Sequence, residues 1–216
     1  MPNRDGRRKK RSEREPYKST DLGFYCIFTD TKETEENYFD GLKISLPESI
    51  RERIEIKVFS KIKTEKLLES AQEVITQSSQ YYQPWIVFDR DRVKNFDIII
   101  SNAEKAGIKV AWSNPCLEIW FLAYLGSMPV IESSVECCKK FAEKYERETG
   151  HKYKKSDSDI YFKLNKFGDE NNAIACAEKR YAQIQRDSDC RMQPSTMISC
   201  TTIHILVKEI KSKAKL

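Results

Sequence analysis

Asp89 and Asp91 stand one residue apart in the run PWIVFDRDRV, residues 84–93, after the apolar stretch Trp85, Ile86, Val87 and Phe88. A short apolar run of this kind predicts a buried strand. Side chains two apart on a strand share a face, so the spacing suits two carboxylates that hold one divalent cation. Magnesium and manganese take hard oxygen ligands, and the chemistry such a pair supports is metal-assisted phosphodiester hydrolysis. The competing reading is a charged Asp-Arg-Asp-Arg turn that caps the next helix. The motif alone leaves both open.

A second acidic element, TDTKETEEN at residues 29–37, carries Asp30, Glu33, Glu35 and Glu36. On its own it is equally an acidic helix N-terminus, where the helix dipole favours negative charge. A third acid, Glu118, is embedded in SNPCLEIWFLAY, residues 113–124, a run otherwise free of charge. A carboxylate in apolar sequence must be paired, ligated or protonated, unless it occupies an exposed position of its helix. Ser113 and Asn114, just ahead of it, suit phosphate binding or a helix cap. There are two histidines, His151 and His204, far apart in sequence, which favours a centre built on carboxylates.

The elements that must position these acids alternate in type. GFYCIF (23–28) reads as a buried strand, followed by a helix starting at Thr34/Glu35/Glu36 with Tyr38, Phe39 and Leu42 on one side. IEIKVFS (54–60) alternates as a half-buried strand. A helix capped by Thr64 and running to Ser79 places Leu67, Leu68, Ala71, Val74 and Ile75 at the helical period. PWIVFDRD is the third strand. The next helix carries Phe96, Ile99, Ile100 and Ala103 and ends at Gly107, and IKVAWS (108–113) is the fourth strand. This alternation predicts a parallel α/β sheet flanked by helices, whose sites lie beyond the carboxyl ends of the strands. Asp30 follows strand one, Asp89 and Asp91 strand three, and Ser113-Asn114 strand four, so topology and acid placement agree. From residue 115 the chain reads as helical. Pro115 opens a buried helix. Residues 132–148 form an amphipathic helix with Val135, Cys138, Phe141, Ala142 and Tyr145 inward. HKYKKSDSD (151–159) is a polar linker, followed by helices near 158–166 and 169–187. Pro194-Ser195-Thr196 precedes a last helix bearing Ile203, Leu206, Val207 and Ile210.

Basic residues outnumber acidic ones 38 to 33, a net charge of +5. Residues 1–20 hold eight basic and three acidic side chains, so they account for the whole excess and residues 21–216 balance. That arm lacks apolar periodicity and is expected to be disordered. It is either a phosphate-seeking tail that adds salt-dependent, sequence-blind affinity or a solvated terminus without a role. No apolar run approaches the roughly 20 residues of a membrane span, and the amino terminus has no signal-peptide core; no membrane partner and a cytoplasmic location are expected. The seven cysteines include no CxxC pair, which argues against a structural zinc site. Cys26, Cys138 and Cys176 fall on apolar positions and read as reduced core thiols. With seven glycines and no glycine-rich phosphate loop, a nucleotide-binding phosphotransferase is the least supported class.

Taken in order, these motifs resemble the RloB-like family of prokaryotic proteins, which is similar to Toprim-fold proteins including the nuclease domains of OLD-type enzymes. The family begins with a strand followed by Glu-Gly-x-x-Thr-Glu and Tyr-Phe; here the stretch is Asp30-Thr31-Lys32-Glu33-Thr34-Glu35 with Tyr38-Phe39. Phe88-Asp89-Arg90-Asp91 matches its Phe-Asp-x-Asp strand end, and Ser113-Asn114-Pro115-Cys116-Leu117-Glu118-Ile119-Trp120 its Ser-Asn-Pro-Cys-x-Glu-x-Trp. Pro194-Ser195-Thr196 and Leu206-Val207 match later motifs. The resemblance implies a Toprim-like, mostly parallel four-stranded sheet over residues 21–130, behind an arm at 1–20, with a helical C-terminal region at 131–216 packed on it. It implies a magnesium- or manganese-dependent nuclease of prokaryotic antiviral defence, acting on RNA (tRNA included) or DNA, with an ABC/AAA-type ATPase partner. Asp30, Glu35, Asp89 and Asp91 are then the metal ligands, and Glu118 completes or orients their shell. Lys32, Arg92 and Asn114 are expected to meet the substrate phosphate. Asp30-Thr31 departs from the family's Glu-Gly: the acid is one methylene shorter, and threonine limits a turn that glycine makes freely. The alternative function is a non-catalytic nucleic-acid-binding or regulatory subunit on a degenerate scaffold of this kind.

Overall fold

Period-two alternation sorts the strand side chains into two cores. In the computed structural model, which describes residues 21–31, 33–77, 82–91, 93–186 and 193–213, β1 (Gly23–Thr29) sends Tyr25 and Ile27 to one face and Cys26 and Phe28 to the other. β3 (Tyr82–Asp89) does the same with Trp85 and Val87 against Ile86 and Phe88. Strands buried on both faces read as continuous apolar runs, which is why 23–28 and 85–88 stand out in the sequence. Each fully buried phenylalanine contributes about 1.5–3 kcal/mol relative to exposure.

The sheet order is β2-β1-β3-β4-β5, with β2 at Ile54–Phe59, β4 at Lys109–Asn114 and β5 at Cys200–Thr201. The first four strands pair in parallel and β5 runs antiparallel to β4, with Ser113 opposite Thr201 and Asn114 opposite Cys200. The sheet therefore has five strands where four are expected. β5 is two residues long, too short for any periodic signal, and polar groups hold it: Ser113 Oγ and Thr201 Oγ1 lie 3.0 Å apart, and the Trp112 amide donates to Thr202 Oγ1.

Helix α1 (Thr34–Ser45) covers one face through Tyr38, Phe39 and Leu42. A short α2 (Glu48–Arg51) leads into β2. The other face takes α3 (Leu67–Gln77), through Leu67 and Ala71, and α4 (Phe96–Lys105), through Phe96, Ile100 and Ala103. The C-terminal helices α5 (Glu118–Tyr124), α6 (Ser134–Thr149), α7 (Ile160–Phe167), α8 (Glu170–Arg186) and α9 (Ile203–Lys213) all contribute to the α1-side core. No described helix is long and apolar enough to cross a membrane.

Three helices differ from expectation: the one expected to be capped by Thr64 opens as a 3-10 turn, Thr64–Lys66, with α3 starting at Leu67 and the Thr64 hydroxyl given to Asp30 rather than to a cap. α6 buries Cys137, Phe141 and Tyr145, spaced four apart, while Val135 is 74% exposed and Cys138 only half-buried. Phe141 and Tyr145 lie inward as expected and Cys138 packs against the core, while Cys137 takes the buried position and Val135 faces out. α5 begins at Glu118, and Pro115 lies in the connection from β4, joined to Asn114 by a cis peptide. Residues 1–20, Lys32, Ser79, Arg92 and residue 187 lie outside the described residues.

Candidate active site

The chain passes from β1 outward to β2 and then returns to lay β3 on the other side of β1. The helix after β1 covers one face and the helix after β3 the other, so the connections diverge and leave a crevice at the carboxyl ends of these two strands. In open α/β sheets this switch point is where ligands bind. Thr29 pairs with Val87, which brings Asp30 and Asp89 out at nearly the same level. A cleft of about 940 Å³ opens there, lined by Asp30, Thr31, Thr64, Asp89, Asp91, Lys94, Ser134 and Lys155 among others.

A protein donor fixes each acid. Asp89 closes β3, whose end is pinned by Phe88 against Phe96 at 5.0 Å and Phe96 against Trp112 at 5.9 Å between ring centroids. Its Oδ2 accepts from the Leu117 amide at 3.1 Å, just ahead of α5. Asp91 lies past the strand in a turn tied to the neighbouring strand end, the Arg90 amide donating to Ser113 O and the Asp91 amide to Pro115 O. Asp91 Oδ1 accepts from Ser134 Oγ at 2.6 Å. The Arg90 guanidinium folds back onto Val93 O and the Phe96 ring. Neither aspartate caps α4, whose N-cap Asn95 shows no side-chain cap bond; the turn is real, and its purpose is not a helix cap.

Asp30 follows β1 and accepts from Thr64 Oγ1. Glu35, in the first turn of α1, is 1% exposed and accepts from Thr31 Oγ1. Thr31 thus positions Glu35, and it does so without strain: among the described residues the non-glycine positive φ angles belong to Lys61 and Ser199, so position 31 does not demand glycine. Glu36 turns away to Ser60 Oγ. Glu118, the first residue of α5, is 2% exposed and accepts from Tyr153 OH at 3.0 Å, with Lys155 Nζ 3.5 Å away. It is paired, and the exposed-position reading falls.

Asp30, Glu35 and Asp89 resist ionisation together. Burial is the largest cause in each case. It lifts Asp89 well above the usual carboxylate range, with Glu35, Glu118 and Asp30 adding repulsion against the opposing Leu117 amide. It pushes Glu35 up to about 7, with Asp30 and Glu118 adding to the rise and the Thr31 hydroxyl opposing it. Asp30 is raised by burial, then by Glu65 and Asp91, against the Thr64 hydroxyl. A crowd of like charges with limited solvent has the electrostatics of a cation site.

Asn114 lines a second pocket together with Arg90, Asp91 and Ser195. Its amide donates to Pro194 O at 3.3 Å and Ser195 O at 3.1 Å, tying the 3-10 turn Pro194–Thr196 to the end of β4. Ser113 pairs with β5, so neither residue caps α5. Lys32 and Arg92 lie outside the described residues. Sequence reasoning missed Thr31 and Thr64 as anchors, Ser134, Tyr153, and the cations Lys94 and Lys155. Lys155 belongs to the polar linker, where its charge was the one available signal.

Residues 25–210 match the model of the RloB-like protein family. No curated protein and no solved structure matches the chain. The match covers most of the sequence, and the chain belongs to the RloB-like family.

Proposed function

We propose that this RloB-like protein is a divalent-cation-dependent nuclease, hydrolysing phosphodiester bonds of RNA, tRNA included, or of DNA. The observation that carries the reading is the gathering of Asp30, Glu35, Asp89 and Asp91, with Glu118 behind them, at the switch point of the sheet. The donor set fits magnesium or manganese: it is all oxygen, and its mutual repulsion is what a cation relieves. Asp30, Glu35, Asp89 and Asp91 would hold the ion, which when bound supplies neutralisation of phosphate charge and activation of water.

The chain's own groups then have separate tasks. Glu35 either joins the ligands of the ion or, left free of it, takes a proton from the attacking water; burial raises its carboxyl to about 7 in the metal-free protein, and a base works best when its pKa lies near the working pH. The Leu117 amide and the Ser134 hydroxyl hold Asp89 and Asp91 in place. Lys94 and Lys155 present positive charge to a phosphate backbone from the cleft wall. A role in antiviral defence with an ABC/AAA-type ATPase rests on the family resemblance. The charge balance of residues 21–216 fits a substrate delivered by a partner.

One observation favours a second reading, a non-catalytic nucleic-acid-binding subunit. Among the described residues, no three of these acids bring ligand atoms within 4.8 Å of one another. The test is cleavage of tRNA, other RNA and DNA by purified protein with magnesium or manganese. Asp89→Ala and Asp91→Ala should abolish it; cutting that persists in both places the chemistry elsewhere. Binding of RNA without cleavage under any metal or partner supports the second reading.

A further inference from the structure

We infer that the wall of the same cleft carries a second metal site of different chemistry: Cys116, Glu118 and Cys138 form a three-donor site for a thiophilic divalent cation, Zn²⁺. The two sulfurs lie 4.0 Å apart, and one ligand atom from each of the three residues falls within 4.8 Å of the others. Two sulfurs on one tetrahedral zinc, at Zn–S bonds of about 2.3 Å, stand about 3.8 Å apart. The thiols already hold that spacing, on packed elements: Cys116 is buried in the β4–α5 connection, Glu118 is buried at the start of α5, and Cys138 is half-buried on α6. Both cysteines line the cleft, so an ion has a route in and water can take the fourth position, as at open zinc sites.

Ligand softness separates this site from the acids beside it. Thiolates select zinc, whereas carboxylates and water suit magnesium. Each thiol gives its proton to solvent as its sulfur–zinc bond forms, so two protons leave for each ion that enters. Lys155 marks the locus. Its ammonium lies 3.5 Å from Glu118 on a side chain that is 62% exposed, so it occupies the place of a cation and can withdraw into solvent when one binds. The absence of CxxC spacing does not bear on such a site, because its two sulfurs are 22 residues apart in sequence and meet only in the fold. The inference does not depend on hydrolysis at the acids.

The test uses full-length protein stripped with chelator and titrated with Zn²⁺, and separately with Co²⁺ as a spectroscopic substitute. One equivalent of Zn²⁺ and a thiolate-to-cobalt charge-transfer band are expected. Cys138→Ser and Cys116→Ser should each weaken zinc by more than about 100-fold, beyond what loss of a supporting partner around a metal does. Cys176→Ser, on α8, should leave zinc binding unchanged. Lys155→Met should tighten zinc several-fold by removing the competing cation, which a merely structural thiol pair would not do. Asp89→Ala should keep the zinc site, so that loss of cleavage and loss of zinc are told apart. Circular dichroism checks each variant's fold; if Cys116→Ser does not fold, the half-buried Cys138 carries the test. A missing charge-transfer band, or zinc binding unchanged in Cys138→Ser, overturns the inference.

Discussion

Replacing Glu35 by glutamine should stabilise the metal-free protein at alkaline pH. Glu35 is 1% exposed, and its pKa rises from 4.5 to about 7 because burial, then Asp30 and Glu118, disfavour the anion. The folded state therefore keeps a proton that the unfolded chain has already released. Below pH 4.5 both states are protonated and the group is neutral with respect to folding. As pH rises through 7 the buried carboxyl must ionise, and the stability it allowed at low pH is lost. At about 1.4 kcal/mol for each pH unit between the two pKa values, the loss amounts to about 3 kcal/mol once pH exceeds 8. Glu35→Gln stays neutral and keeps an acceptor for Thr31 Oγ1, the bond Glu35 makes. The assay is urea unfolding of both proteins in chelator, at steps from pH 4.5 to 8.5. The variant should match wild type near pH 4.5 and exceed it by up to about 3 kcal/mol at pH 8. A variant that tracks wild type at every pH, or is less stable at pH 8, refutes the reasoning.

Gly41→Ala tests the contact of α1 with α7: an added Cβ would stand 2.4 Å from Tyr161 Cβ, and overpacking of this kind should lower stability by about 1–3 kcal/mol in urea unfolding. Tyr153→Phe removes the hydroxyl that donates to Glu118; loss of a hydrogen bond to a carboxylate should cost about 1.5–3 kcal/mol by the same measurement. Deleting residues 1–20, which carry the whole basic excess, should flatten the salt dependence of RNA binding, and an unchanged slope removes the arm from nucleic-acid contact.

The strands that lead to the acids were legible because β1 and β3 are buried on both faces, and the flanking helices α3, α4 and α9 because they show clear stripes. Placement of Asp30, Asp89 and Asp91 at one sheet edge followed from the alternation alone. What local pattern could not supply is contact between distant segments. Thr64 meets Asp30 across 34 residues, Ser134 meets Asp91 across 43, and Tyr153 meets Glu118 across 35. Val135 misled because an apolar residue at a helical spacing was assigned inward, while Cys137, two residues on and nearly opposite on the helix, holds the core position. Asn114, an amide at a strand end, holds Pro194 and Ser195 and borders Asp91 in a neighbouring pocket, contacts no local pattern announces. The Gly-to-Thr departure at Thr31 looked like damage to the turn, and the hydrogen bond to Glu35 gives it a use.

The central claim is that Asp30, Glu35, Asp89 and Asp91 form one cation site, and a crystal soaked in manganese tests it most directly. The account predicts anomalous density in the cleft within coordinating distance, about 2.2 Å, of Asp89 and at least one of the other three acids. A crystal in which Mn²⁺ leaves no density there, with Asp89 still on the Leu117 amide, Asp91 on Ser134 and Asp30 on Thr64, would contradict it.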